Sequence, residues 1–245
     1  MAVAKQARVV AATEIAPETR LLELELPAGE PLGFTGGQYI IVNSGVALPG
    51  GKIAKRAYSI LSSDAEQQRT TLAVRRIGEG PGSNFMHRLK IGDDVPFSGP
   101  WGQYIPIPET TAARTLIFAS DTGITAALGL IRSARFHSQL SNADLIWLSG
   151  SDESFLPASF VRDLLPSGLG SLRIVQDLPT GHPDRAATAW TLIQERWKQQ
   201  PEVVYFSGDG ALLAMLRENL VADGFAETAI RMETFFNHLA RKAPA

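Results

Sequence analysis

The feature that most constrains the fold is a change of rhythm near residue 110. Before it, short alternating stretches at Ala7–Ala12, Leu21–Leu26, Gln38–Asn43, Ala54–Leu61 and Thr70–Arg76 are broken by Pro27-Ala28-Gly29, Gly36-Gly37 and Pro49-Gly50-Gly51. Evenly spaced short strands with such turn signals predict an antiparallel β-barrel. Gly99-Pro100-Trp101-Gly102 reads as a rigid turn that closes it. Beyond residue 110, apolar runs at Thr115–Ala119, Leu145–Ser149, Leu172–Gln176, Val203–Ser207 and Ala229–Thr234 alternate with helical patterns near 123–138, 155–165, 184–198 and 210–223. Five strands with helical right-handed crossovers predict an α/β doubly wound parallel sheet. Two domains are expected, 1–108 and 109–245, with the join in the proline-bearing Ile105–Thr110.

Composition narrows the chemistry. The chain has no cysteine, which excludes disulfides, thiolate nucleophiles and zinc or iron–sulfur sites built on sulfur. Redox chemistry would have to ride on a bound organic cofactor or on a separate protein. Net charge is −2 with no Lys/Arg block, so no nucleic-acid footprint is visible. His87, His137, His182 and His238 lack metal-binding spacing, and no metal site is expected. No apolar run approaches the roughly 20 residues of a membrane span. The N-terminus carries Lys5 and Arg8 without an apolar signal core, so a cytoplasmic location is expected.

Two motifs in the first half carry chemistry. Arg56-Ala57-Tyr58-Ser59 offers a cation, an aromatic face and a hydroxyl; Gly80-Pro81-Gly82-Ser83 is a turn opening a short helix, Asn84–Leu89, at its positive end. Each also has a plain structural explanation. Alternation on a half-buried barrel strand accounts for the first, and a tight turn with Ser83 as helix N-cap accounts for the second.

Taken together, these motifs resemble those of the ferredoxin–NADP reductase superfamily of flavoproteins, which includes the reductases of bacterial oxygenase systems. The resemblance implies an R-x-Y-S/T flavin segment at Arg56, Tyr58 and Ser59. In it Arg56 meets flavin phosphate, Tyr58 packs on the ring system and Ser59 bonds near the reactive N5. It implies a G-x-x-S/T phosphate turn in which Gly80, Gly82 and Ser83 serve the phosphates through backbone N–H groups and the Ser83 hydroxyl. FAD is the expected flavin, with FMN the less frequent choice in the family.

The second half matches with departures. The family loop G-G-T-G-I-A-P is represented by Ser120-Asp121-Thr122-Gly123-Ile124-Thr125-Ala126, which keeps Thr122, Gly123 and Ile124. The family's C-G-P-x-x-M is represented by Ser207-Gly208-Asp209, with serine where the family has a cysteine beside the nicotinamide. Arg231-Met232-Glu233-Thr234-Phe235-Phe236 is similar to the final strand, which makes Glu233 the candidate proton-relay or orienting carboxylate. Phe235 or Phe236 is then a candidate cover for the flavin ring, or else a core residue. Ser59, Ser207 and Glu233 form the expected catalytic set.

The family strand order 3-2-1-4-5 would bring Asp152, Asp121 and Asp209 together at adjacent strand ends. Three acids would rim the dinucleotide crevice and repel its phosphates, although each is also a natural N-cap. Asp152 is placed to bind ribose hydroxyls, and Arg173 and Arg185 are possible phosphate partners. NADH is therefore the expected form of NAD(P)H.

The resemblance implies a reductase that takes hydride from NAD(P)H and passes single electrons to a separate ferredoxin, flavodoxin or oxygenase component. The alternatives are a free-flavin or ferric-chelate reductase and a flavin-binding electron-transfer subunit that does not use NAD(P)H.

Overall fold

The computed structural model describes residues 4–78, 80–107, 114–151, 153 and 155–235. Its first half is a six-stranded antiparallel sheet built from β1 (Lys5–Ala16), β2 (Thr19–Glu25), β3 (Tyr39–Ala47), β4 (Ile53–Ser59), β5 (Arg69–Arg75) and β6 (Asp94–Trp101), in the order β4-β3-β6-β1-β2-β5. The two edge strands meet where Ile60 bridges Leu72 and the Leu61 N–H donates to Thr71 O at 2.8 Å, so the sheet curls into a barrel. Val9, Leu22, Leu24, Ile40, Val42, Leu72, Val74, Val95 and Phe97 alternate into its buried interior. Helix α1 (Pro81–Arg88) packs against the same core through the buried Met86. The Arg20 guanidinium closes the helix C-terminus by donating to the carbonyls of His87 and Leu89.

The stretch expected to be a closing turn is in fact a strand. Residues 94–101 pair with both β1 and β3, and the cis Gly99-Pro100 bond lies where the pairing with β3 shifts register between Tyr39 and Ile41. A bulge absorbs the glycine and proline that mask the strand pattern.

The second half is a parallel sheet of β7 (Thr115–Ser120), β8 (Ala143–Leu148), β9 (Ser171–Val175), β10 (Val203–Asp209) and β11 (Ile230–Phe235), in the order β11-β10-β7-β8-β9. Counted within the domain, this is 3-2-1-4-5. Helices α2 (Ile124–Ile131) and α3 (Ala158–Leu164) bury one face, and α4 (Arg185–Trp197) and α5 (Gly210–Ala222) bury the other. Sandwiched between them, β7 is buried at every position. The helical pattern at 123–138 does not run through. It stops at Ile131, and a 3-10 stretch, Ala134–Asn142, follows an extended Ser133.

Leu61, Ala73 and Tyr104 of the barrel belong to the same buried cluster as α2 and the sheet, so the two halves share apolar core. The expected boundary at 108/109 lies outside the described residues, as do Asp152 and Phe236. Among the described residues no helix is long and apolar enough to cross a membrane.

Candidate functional site

Antiparallel register sets the barrel side of the site. Val42 faces Arg56, Ile40 faces Tyr58 and Tyr39 faces Ser59, so Arg56 and Tyr58 share one side of β4 and Ser59 lies on the other. Arg56 extends over the start of α1. A Cβ on Gly82 would lie 2.6 Å from Arg56 Cγ, so glycine is what lets the helix N-terminus approach the guanidinium stem. First-turn amides of a helix lack intrahelical acceptors and favour anions. Gly80 is the N-cap residue and Pro81 the first helical residue, which suits a position whose N–H is not needed.

Ser83 departs from expectation. Its hydroxyl donates to Gly80 O at 3.1 Å and accepts from the Ile77 N–H at 3.2 Å. The hydroxyl proton is thus committed to the turn, and what Ser83 can direct at an anion is its backbone amide.

Two neighbouring hydroxyls have no hydrogen-bond partner among the described residues. Tyr58 OH and Ser59 Oγ are both buried and make no hydrogen bond among the described residues. Burial pushes the Tyr58 phenol well above its ordinary range. An unsatisfied buried hydroxyl costs about 1–3 kcal/mol, and native folds rarely leave such groups unexplained. A ligand with its phosphates at Arg56 and α1 would lie on the Arg56–Tyr58 side of β4 and would reach Ser59 only around the end of the strand, which stops at that residue. These residues fit a flavin nucleotide.

At the carboxyl end of β7 the chain makes a single 3-10 turn, Asp121–Gly123, before α2. A Cβ on Gly123 would sit 2.3 Å from Ser207 O, and one on Gly208 would sit 2.4 Å from Ser120 O. These two glycines let the β7 and β10 ends touch backbone to backbone. The Thr125 hydroxyl donates to Thr122 O at 2.8 Å, bracing the turn just ahead of the buried Ile124.

Ser207 is fully buried. Its hydroxyl donates to Gly123 O at 2.9 Å and accepts from Tyr104 OH at 3.4 Å. It is a strut between the barrel and the sheet, not the open group expected beside the nicotinamide.

The expected acidic rim is met in part: Asp209 helps raise the Asp121 carboxyl, both of these acids also have protein partners, and Asp152 lies outside the described residues. Asp121 adopts φ 49° and forms an ion pair with Arg185 at 2.5 Å. The Thr180 hydroxyl also donates to Asp121, at 3.4 Å. Burial holds the Asp121 carboxyl above the usual carboxylate range, against the pull of Arg185. Asp209 is the N-cap of α5 and accepts the Ala211 N–H at 3.0 Å. Of the two arginines considered as phosphate partners, Arg185 is held by Asp121 and Arg173 donates to Glu195 at 2.7 Å.

Glu233 meets the barrel. In the sheet it lies opposite Ser207, and its Oε2 is 3.3 Å from where a Cβ on Gly102 would stand. Burial pushes its carboxyl up to about 7. Its charge in turn helps burial raise the Tyr39 phenol. Tyr39 thus sits opposite Ser59 in the register of β3 and β4 and close to Glu233 beside Gly102, a position that nothing in its own sequence neighbourhood signals. Phe235 packs on the core cluster of α2 and α3.

Residues 6–105 match the family model of the oxidoreductase FAD-binding domain. Ferredoxin–NADP reductase B of Sorangium cellulosum (strain So ce56) is 37% identical over 129 residues, 53% of this chain and 51% of the relative. The reductase component DmpP of phenol 2-monooxygenase from Pseudomonas sp. (strain CF600) is 27% identical over 195 residues, 72% of this chain and 53% of the relative. The chain spans about half the length of these curated relatives. The solved structure of phthalate dioxygenase reductase superposes with a TM-score of 0.71 at 27% identity, covering 96% of this chain and 70% of that one. An Amycolatopsis cytochrome P450 reductase, at 22% identity and a TM-score of 0.75 over 96% of this chain and 71% of that one, shares the fold. Residues 6–105 thus match the oxidoreductase FAD-binding domain, and the chain as a whole shares the two-domain fold of these reductase structures.

Proposed function

We propose that this protein is an FAD-dependent oxidoreductase that accepts hydride from NAD(P)H and hands electrons singly to a separate ferredoxin, flavodoxin or oxygenase component. The observation that carries the reading is the pair of buried, unpartnered hydroxyls of Tyr58 and Ser59 beside Arg56 and the α1 N-terminus, within an FAD-binding domain. When bound, FAD supplies the exchange between a two-electron donor and a one-electron acceptor. The chain's own contributions are positional and electrostatic. Arg56 offers a planar fork suited to two phosphate oxygens. The Gly82 and Ser83 amides of α1 add dipolar donors to the same anion. Ser59 offers a hydroxyl to the redox ring, while Tyr58 packs against it.

Glu233, reaching over from the sheet, sets the charge at the meeting of the two halves. A dinucleotide would dock at the carboxyl ends of β7 and β10, beside the turn Thr122-Gly123-Ile124, whose glycine is packed against the β10 end. NADH is the preferred donor in this reading, because Arg185 is buried against Asp121 and Arg173 already faces Glu195, whose carboxylate would compete with a 2′-phosphate. Asp152, just after β8, would serve ribose hydroxyls.

A second reading, a flavin-binding electron-transfer subunit without NAD(P)H chemistry, is favoured by the Asp121–Arg185 pair standing in the nucleotide loop. The test is to purify the protein, identify the released flavin and assay NADH-dependent reduction of ferricyanide. Stoichiometric FAD with steady turnover supports the reductase; FAD without turnover on either donor supports the subunit.

A further inference from the structure

The segment Ile60–Asp64, which directly continues the flavin strand, is fastened to the far end of α2. Asp64 Oδ2 accepts the Gly36 N–H at 2.9 Å and the Ser133 hydroxyl at 2.5 Å, and Oδ1 accepts the Ala134 N–H at 2.8 Å. Alongside it, Ser63 Oγ donates to Arg132 O at 2.8 Å, and Arg132 Nη1 donates back to Leu61 O at 2.9 Å. The backbones between them are in direct contact. A Cβ on Gly36 would lie 2.2 Å from Gly129 O, and one on Gly129 would lie 2.3 Å from Ile60 O.

We infer that Asp64 is a positioning residue whose carboxylate fixes the separation of the flavin half-site from the nucleotide half-site. On one side only Ile60–Ser63 separate it from Ser59. On the other side it holds the C-terminal end of α2, whose N-terminal end is the Thr122-Gly123 turn. A helix of this length is a rod of about 12 Å with 1.5 Å rise per residue. Each half-site is thereby rigidly connected to one carboxylate. A second fastening lies at the linker, where Tyr205 OH accepts the Ile107 N–H at 3.0 Å and donates to Ile105 O at 3.3 Å. Loss of Asp64 therefore frees a pivot between the domains rather than unfolding either of them. The catalytic consequence rests on the reductase reading above; the mechanical one does not.

The test compares the unmodified holoprotein with Asp64→Ala, Asp64→Asn and Ser133→Ala, reading FAD content, amide hydrogen exchange and stopped-flow flavin reduction by NADH. In Asp64→Ala, FAD content stays unchanged and exchange at Gly36 and Ala134 quickens. The limiting reduction rate drops roughly tenfold or more, since misplacement by 1 Å can cost up to about a hundredfold, while the apparent donor Kd moves little. Asp64→Asn, which keeps one carbonyl acceptor, recovers part of the rate. Ser133→Ala shows the same pattern more weakly and carries the test should Asp64→Ala not fold. Unchanged exchange at Gly36 and Ala134 overturns the proposal, as does a rate loss that tracks loss of FAD. If no donor reduces even the unmodified protein, the reductase reading fails. The exchange arm then decides alone, with local quickening supporting the clasp and none refuting it.

Discussion

The Arg185 guanidinium lies 2.5 Å from the Asp121 carboxylate with only 5% and 17% of the two side chains exposed, and it joins the start of α4 to the turn after β7. Removing one partner of a buried pair costs about 3–5 kcal/mol because the other charge is left uncompensated. Asp121→Gly relieves an aspartate held at φ 49°, a gain of about 1 kcal/mol. The pair outweighs the strain. Asp121→Gly is expected to lower the melting temperature by several degrees, and to leave the KM for NADH no better than before. Differential scanning calorimetry and steady-state kinetics on the variant check both.

Tyr58→Phe and Ser59→Ala should act in opposite directions on the empty and loaded protein. In the apoprotein each removes a buried hydroxyl that has no partner among the described residues, which stabilises by up to about 1–3 kcal/mol. In the holoprotein each removes a group that serves the flavin, so FAD binds more weakly or is reduced more slowly. Melting curves with and without added FAD measure the crossing. Parallel effects on both forms would assign these hydroxyls to the fold alone.

What was legible in the sequence was whatever is carried by local pattern. Leu22 and Leu24 of β2 alternate with polar residues, and the turn glycines punctuate the barrel, so five of its strands stood out. β6 did not, because Pro96, Gly99 and Pro100 suppress the strand signal and only pairing with β1 and β3 reveals it. The end of α2 was equally hidden. Ser133 leaves the helix because its hydroxyl bonds Asp64, 69 residues away, and no local propensity encodes that contact. The pairing of Asp121 was hidden in the same way, since it looks unpaired until the fold brings Arg185 to it. Arg56, Tyr58 and Ser59 were readable as a group, whereas the place of Tyr39, opposite Ser59 and near Glu233, was not.

Arg56→Ala should weaken FAD retention by about 1.5–3 kcal/mol, roughly ten- to a hundredfold in Kd, as expected for one charge-assisted contact. Gly82→Ala should have an effect of the same sign, because its Cβ would stand 2.6 Å from Arg56 Cγ and push the side chain off the helix start. Fluorescence titration of apoprotein with FAD gives both constants, and far-ultraviolet circular dichroism confirms that the barrel is intact.

Glu233 makes apoprotein stability depend on pH. Burial raises its carboxyl from 4.5 to about 7, so between these values the folded state holds more of the proton than the unfolded state does. Its contribution is fully present below about 4.5 and is lost as pH rises through about 7. Glu233→Gln removes this loss. Relative to the unmodified protein, the variant should gain more in urea midpoint at pH 8 than at pH 5. A gain of the same size at both values would contradict the buried, proton-holding carboxyl.

Anaerobic titration of the yellow holoprotein with NADH and, separately, with NADPH, followed at the flavin absorbance band, decides whether the bound flavin takes hydride from a nicotinamide. NADH should bleach the band with a near-stoichiometric end point, NADPH should do so more slowly, and a one-electron acceptor should restore the colour. A band that stays unbleached by millimolar concentrations of either donor would contradict hydride transfer to the flavin.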